Sequence, residues 1–129
     1  MQKKNIPAKP LTPVELEIMT VVWNLGETTV KDVQNALSKD RGLAYTTVAT
    51  MMKILEGKKI LKSKKSDKAH LFTPLLSREE YGQNSLNALT MGAFSQNPTW
   101  LVKQLLEKTD LSEDELKEIR KLVNERLSE

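Results

Sequence analysis

One stretch, residues 44–68 (AYTTVATMMKILEGKKILKSKKSDK), constrains the fold of this chain more than any other. At about 100° per residue its first half predicts a helix over residues 45–56 with two unlike faces. Thr46, Thr50 and Lys53 fall opposite the apolar side chains, so this helix is suited to lie against a polar surface such as a DNA major groove. The apolar face is made by Tyr45, Val48, Met51, Met52 and Leu55.

Lysines crowd the residues that follow this helix. The extended pattern of residues 60–65 and 70–73, separated by a polar turn, predicts a small β-hairpin. Between Lys53 and Lys68 the chain has seven lysines, and only Glu56 and Asp67 oppose them. Such a run is often no more than a solvated face. Here it adjoins the hydroxyl-bearing helix, and this favours nucleic-acid binding.

Capping signals predict two helices before this stretch. Thr12 and Glu15 form a capping box that begins a first helix over residues 13–25. Thr29 caps a second helix over residues 30–38. The buried positions expected from helical spacing are Leu16, Met19, Val22 and Trp23 in the first helix, and Val30, Val33, Ala36 and Leu37 in the second.

Three further helices are predicted in the C-terminal part, beginning after Ser77, Asn97 and Ser112. About 50 residues of helix are marginal as a free-standing unit, so their apolar stripes need a partner surface. A second copy of the chain supplies one in a two-fold dimer, and folding back on the same subunit is the alternative. The residues expected at the dimer interface are Leu86, Leu89, Phe94, Trp100, Leu101, Leu105, Leu116, Ile119, Val123 and Leu127.

The charge of the 129-residue chain is divided between its two parts. Residues 1–76 carry 13 basic and 7 acidic side chains, whereas residues 77–129 carry 7 basic and 10 acidic ones. Contact with a polyanion requires cations at the contact surface, so only the first part is expected to bind one. We therefore predict a flexible basic arm over residues 1–10, a binding domain over 11–76 and a helical domain over 77–129.

Composition also excludes several classes of protein. The chain has no cysteine and one histidine, His70, so disulfides, thiolate metal sites and cysteine nucleophiles are ruled out. We expect no catalytic residue, metal or cofactor, and therefore no enzyme. No apolar run approaches the roughly 20 residues needed to span a bilayer, and residues 1–10 lack an apolar signal region. The expected location is the cytoplasm.

Four segments together resemble the BlaI/MecI/CopY penicillinase-repressor family. They are LTPVELEIMTVVW (11–23), YTTV (45–48), LEGKKIL (55–61) and FTPLLSREEY (72–81). The resemblance covers residues 11–129. It implies a mainly α protein with a small β-hairpin, in which a winged helix-turn-helix DNA-binding domain precedes a helical dimerisation domain. Its implied function is that of a homodimeric, sequence-specific transcriptional repressor at paired operator half-sites.

The resemblance also assigns roles within the interface. DNA base edges would be contacted by Thr46, Thr47, Ala49 and Thr50. DNA phosphates would be contacted by Tyr45, Lys53, Lys62, Lys64, Lys65 and Lys68, which supply affinity rather than sequence choice. An ordinary exposed helix surface is the alternative for the threonines. Because threonine is a weak helix former, three threonines in five positions favour the functional interpretation.

The chain departs from the family at two points, and a rival function stays open. Copper-responsive members carry a C-terminal cysteine motif that is absent here. Antibiotic-responsive members are cleaved at an Asn-Phe bond after a membrane sensor is triggered, and this chain has no Asn-Phe pair, so an upstream sensor protease is left open. The rival is a winged helix used as a protein-interaction module. Residues 66–69, at the tip of the hairpin, lack the aromatic or large apolar side chains that such docking favours.

Overall fold

The computed structural model describes residues 11–37 and 39–129, which form six α-helices and one antiparallel β-hairpin. The predicted basic arm and Ser38 lie outside the described residues. This architecture confirms the mainly α fold class with a small hairpin. In chain order the elements are α1 (Pro13–Leu25), α2 (Val30–Ala36), a 3₁₀ turn (Lys39–Arg41), α3 (Tyr45–Gly57), β1 (Leu61–Lys65), β2 (His70–Pro74), α4 (Arg78–Met91), α5 (Pro98–Lys108) and α6 (Glu113–Leu127).

The predicted capping boxes begin the helices as the sequence indicates. The backbone N–H of Thr12 donates to Glu15 Oε1 at 2.8 Å, and the N–H of Glu15 donates to Thr12 Oγ1 at 3.2 Å. The same reciprocal bonds join Ser77 to Glu80 and Ser112 to Glu115. Each box satisfies two N–H groups that a helix leaves without an intrahelical partner, so these starts are fixed locally.

The core of the first part lies where α1, α2 and α3 meet the hairpin. The buried stripe of α1 is centred on Ile18 and Met19, and the expectation that Leu16 belongs to it is wrong, since this side chain is 37% exposed. Leu16 lies about 100° round the helix from that centre. Ala36 is also exposed, and Tyr45 is 50% exposed. The fully buried large side chains are Ile18, Met19, Val22, Val33, Val48, Met52, Leu55, Ile60, Leu61 and Leu76.

The chain divides into two compact units between Leu86 and Asn87, a boundary that falls within α4. The predicted domain boundary lies earlier, between residues 76 and 77. The difference has a physical cause in Tyr81, whose hydroxyl accepts a hydrogen bond from the Leu11 N–H at 3.1 Å. Its ring also lies 5.8 Å from that of Trp23. These contacts attach the first turns of α4 to the first unit.

The second unit contains the end of α4 together with α5 and α6. Ser95 and Gln96 adopt left-handed φ values of 49° and 63°, and they turn the chain after α4. Asn97 then caps α5, its side-chain oxygen accepting the Trp100 N–H at 3.0 Å. The Phe94 and Trp100 rings meet edge to face at 5.0 Å. Most large apolar side chains of this unit stay exposed.

Candidate nucleic-acid interface

Helix α3 has one buried and one exposed face. Its apolar side chains Val48, Met52 and Leu55 are fully buried in the core of the first unit. Thr46, Thr50 and Lys53 are exposed, and Thr47 is exposed beside them. Ala49, the remaining residue expected to contact bases, is half-buried and packs against the core. The candidate face is therefore a row of two hydroxyls and a lysine, with Thr47 on one flank and the Ala49 methyl on the other.

The N-terminus of α3 has no side-chain cap. Ala44 occupies the capping position, whereas α1, α2, α5 and α6 each have a side chain that accepts a backbone N–H there. The first-turn N–H groups of α3 thus lie at the positive end of a helix dipole without side-chain cover. Such an end suits a phosphate oxygen. The half-exposed Tyr45 stands at this end.

The turn between α2 and α3 is held to the body of the first unit. Arg41 in the 3₁₀ turn pairs with Glu17 of α1 at 2.9 Å. Gln34 of α2 donates to the Leu43 carbonyl oxygen at 3.2 Å. Gly42, with a φ of 62°, allows the left-handed step between these two anchors. Two helices joined by a braced turn, the second presenting a polar face, form a helix-turn-helix.

The hairpin β1–β2 lies beyond the C-terminal end of α3 and forms the wing. Its strands pair from Leu61 with Pro74 to Lys65 with His70, and the Ser66 N–H closes the turn onto the Ala69 carbonyl at 2.9 Å. Leu61 is buried against the body, while Lys62 and Lys64 point to the opposite, solvent face of β1. All four wing lysines of the predicted interface are exposed: Lys62, Lys64, Lys65 and Lys68.

One lysine of the predicted cluster is engaged within the protein. Lys58 Nζ donates to both carboxylate oxygens of Glu15, at 3.0 and 2.8 Å, and the Glu15 side chain is only 3% exposed. Of the seven lysines between Lys53 and Lys68, Lys58 is thus engaged with Glu15, and it is not among those predicted to contact DNA phosphates. Burial alone raises the pKa of Glu15, but hydrogen bonds from Lys58 and Thr12 outweigh it and hold the pKa below its usual value.

Three side-chain or backbone contacts that the sequence did not reveal hold the wing. Glu56 in the last turn of α3 accepts two hydrogen bonds from Ser63 of β1. Glu27 pairs with Lys64 at 3.4 Å. Thr28, which lies between α1 and α2, forms a β-bridge with Phe72. No local pattern marks these contacts, because each joins residues that come together only in the folded chain.

The residues expected at a dimer interface are mostly exposed, and all of them except Leu86 lie in the second unit. Leu101 is buried, and Phe94 and Ile119 are half-buried. The exposed fraction of Leu127 reaches 78%. The other members of the set are exposed by roughly half: Leu86, Leu89, Trp100, Leu105, Leu116 and Val123.

The described part of the chain offers no group of three or more histidine or acidic side chains placed to hold a metal ion. Within the same residues, no helix is both long enough and apolar enough to cross a membrane.

Helices α1 to α3, of which α2 and α3 form the helix-turn-helix, are followed by the β-hairpin. This arrangement defines a winged helix-turn-helix protein of the DNA-binding type. The sequence profile of the family described as "Penicillinase repressor" matches residues 11–125. The chain therefore belongs to the penicillinase repressor family, and it is a DNA-binding transcriptional repressor, not an enzyme. The expected family, fold and general function are confirmed.

Relatives and a solved structure agree with this assignment. The chain is 24% identical to the methicillin resistance regulatory protein MecI of Mammaliicoccus sciuri over 120 residues, 90% of this chain and 94% of MecI. It is 38% identical to the transcriptional regulator BlaI of Mycobacterium tuberculosis over 71 residues, 54% of this chain and 51% of that protein. The solution structure of the DNA binding domain of the repressor BlaI matches with a TM-score of 0.52 and 29% identity, covering 61% of this chain and 94% of that domain.

Proposed function

We propose that this protein represses transcription as a homodimer that binds paired operator half-sites, each copy placing α3 in a major groove. The observation that carries the proposal is the exposed face of α3, where Thr46, Thr50 and Lys53 stand opposite a fully buried apolar face. A helix of this kind can enter the groove without uncovering its core. Occupancy of the operator then blocks the polymerase.

Sequence choice in this proposal belongs to the first half of α3. The hydroxyls of Thr46, Thr47 and Thr50 can donate to or accept from base edges, and the Ala49 methyl can contact a thymine methyl. The exposure of the three threonines supports these roles. Ala49 lies at the border of the face, where it packs against the core, so its approach to a base is fixed by the body of the protein.

Phosphate contacts belong to the residues around this helix. We propose that the exposed lysines of α3 and the wing neutralise phosphates on either side of the groove, and that Tyr45 offers its hydroxyl to the backbone at the start of α3. The exposure of these side chains supports the assignment. The proposed set is Tyr45, Lys53, Lys62, Lys64, Lys65 and Lys68.

The homodimer is proposed from the second unit. Its helices expose apolar side chains such as Leu105 and Leu127, and exposed apolar surface of this extent is typical of an interface. A two-fold dimer covers both copies at once and brings two α3 helices to successive grooves about 34 Å apart.

A salt titration tests the proposal. If each half-site neutralises about four phosphates, the dimer neutralises about eight, and the log-log slope of affinity against salt is about −7. The measurement is fluorescence anisotropy of a mixed-sequence duplex between low and physiological salt. Binding that does not change with salt, or no binding, contradicts the proposal and favours the winged helix as a protein-interaction module.

Release and location complete the proposal. We propose the cytoplasm as the location, because the operator DNA of bacteria, from which the compared relatives come, is there.

An upstream sensor protease stays a prediction of the family resemblance. Incubation of the pure chain with lysate of its host under induction, followed by mass spectrometry, tests it, and an intact chain after loss of DNA binding would rule cleavage out.

A further inference from the structure

One cross-strand pair of the wing, Ser63 opposite Phe72, is attached to the body on both edges. The Phe72 N–H donates to the Thr28 carbonyl at 2.7 Å, and the Phe72 carbonyl accepts the Thr28 N–H at 2.9 Å. The backbone groups of Phe72 therefore point out of the hairpin. In an antiparallel ladder such a residue belongs to a pair that exchanges no backbone hydrogen bonds, so those of Ser63 point outward on the other edge.

Glu56 satisfies the outward N–H of Ser63. Its Oε2 accepts the Ser63 N–H at 3.1 Å and the Ser63 hydroxyl at 2.5 Å. Glu56 belongs to the last turn of α3, so these bonds join the proposed recognition helix to the wing. Glu56 on one edge and Thr28 on the other edge therefore hold the hairpin at the same cross-strand pair.

We propose that Glu56 is a positioning residue that sets the angle of the wing on α3 and so places the wing lysines against the DNA backbone. The proposal rests on the proposed function. The lysines that it positions are Lys64, Lys65 and Lys68, which follow the anchored pair toward the tip and are all exposed. A wing that pivots at Ser63 would carry them away from the phosphates.

The charge of Glu56 makes this role testable. A carboxylate beside a surface that meets phosphate weakens binding by repulsion, so removing the charge alone should tighten it. Positioning instead requires a hydrogen-bond acceptor at full side-chain length. Glu56→Gln keeps the length and an acceptor oxygen but loses the charge, whereas Glu56→Asp keeps the charge but is one methylene too short to reach Ser63.

The experiment measures binding of full-length wild type and both variants to a mixed-sequence duplex of about 30 base pairs across a salt series. We expect Glu56→Gln to bind at least as tightly as wild type. We expect Glu56→Asp to bind about five- to tenfold more weakly near 0.1 M salt, with a log-log slope shallower by about 1 for each phosphate that a wing lysine no longer neutralises. Glu79→Gln, which removes one exposed charge of the first unit, is the matched charge control.

Two readouts separate positioning from loss of fold. A destabilised variant has fewer folded molecules but an unchanged salt slope, so a shallower slope reports the wing itself. Amide hydrogen exchange should quicken at Ser63 in Glu56→Asp and stay slow at Phe72, which Thr28 still holds. This exchange pattern can be measured without DNA.

The outcomes are distinct. If the wild type binds the duplex, and Glu56→Asp binds it with the same affinity and the same salt slope, the inference about Glu56 is wrong and the proposed function stands. Tighter binding by Glu56→Gln together with unchanged binding by Glu56→Asp would show that Glu56 acts by charge, and would also overturn it. If wild type binds no duplex, the proposed function is wrong and the inference falls with it.

Discussion

The ammonium of Lys58 donates to the carboxylate of Glu15 at 2.8 Å, although the two residues are 43 positions apart in the chain. Glu15 also occupies the third position of α1, where it completes the capping box with Thr12. One carboxylate thus fixes the start of α1 and the segment that leads from α3 to the wing. The bond therefore joins α1 to the C-terminal end of α3, the proposed recognition helix.

Glu15→Gln should lower the free energy of unfolding by about 1–3 kcal/mol at neutral pH. Glutamine can still accept the Thr12 N–H, but it leaves the Lys58 ammonium without its counter-charge beside a buried site. Urea denaturation measures the difference. Glu17→Gln is the matched control two residues along the same helix, because the side chains of its pair with Arg41 are 37% and 39% exposed and such a pair is worth at most about 1 kcal/mol. Equal losses in the two variants would show that the pair of Glu15 and Lys58 stabilises the fold no more than the exposed pair does.

The same pair predicts a dependence of stability on pH. The pKa of Glu15 in the folded protein lies below its ordinary value of 4.5, so the stability that this group contributes is present above that value and is lost as pH falls through the lowered pKa. The difference in unfolding free energy between wild type and Glu15→Gln should be constant near neutral pH and shrink below pH 4.5. A difference that grows on acidification would show the shift to be in the opposite direction.

Thr50→Ala and Lys64→Ala should separate base contact from phosphate contact. Thr50→Ala should weaken binding to a selected operator by about 1 kcal/mol and leave binding to unrelated DNA nearly unchanged, whereas Lys64→Ala should weaken both. Anisotropy titrations on the two duplexes measure this. Equal loss on both duplexes for Thr50→Ala would remove Thr50 from the set of base-contacting residues.

The features that could be predicted from the sequence depend on interactions between near neighbours in the chain, and those that could not depend on contacts between distant residues. Capping boxes act within four residues, so Thr12 and Ser112 marked their helices correctly. The buried face of α3 followed from its periodicity. By contrast, periodicity cannot tell which long side chain will meet a partner across the fold, so the burial of Glu15 and the pairing of Lys58 were missed. The contact roles of the α3 and wing residues stay predictions.

Glu27→Gln should tighten binding to duplex DNA about two- to threefold at low salt, and less at higher salt. The Glu27 carboxylate lies 3.4 Å from Lys64 Nζ, so in the proposed complex it competes with phosphate for this exposed cation. The double variant with Lys64→Gln provides the control, because Glu27→Gln should then have little effect. An equal gain in both backgrounds would show that Glu27 acts by general charge and not through Lys64.

Leu105→Glu should prevent formation of the proposed homodimer and leave the helices folded. Leu105 is 52% exposed in the second unit, so the separate chain tolerates a charge at this position. The same charge buried in an apolar interface between two copies is unfavourable. Sedimentation equilibrium and far-UV circular dichroism measure the two effects. Lys103→Glu, which changes charge at an exposed polar position of the same helix, should leave the dimer intact. A wild-type chain that sediments as a monomer would contradict the proposed assembly.

Selection of duplexes from a pool of random DNA by the wild-type chain, followed by sequencing, shows whether a homodimer reads paired half-sites through α3. We expect enrichment of two inverted half-sites whose centres lie about one helical turn apart, one for each α3. We further expect that Thr50→Ala relaxes the preference within each half-site, while Lys64→Ala lowers recovery without changing it. A pool that shows no enriched sequence, or a preference unaffected by every substitution on α3, would contradict the proposed function.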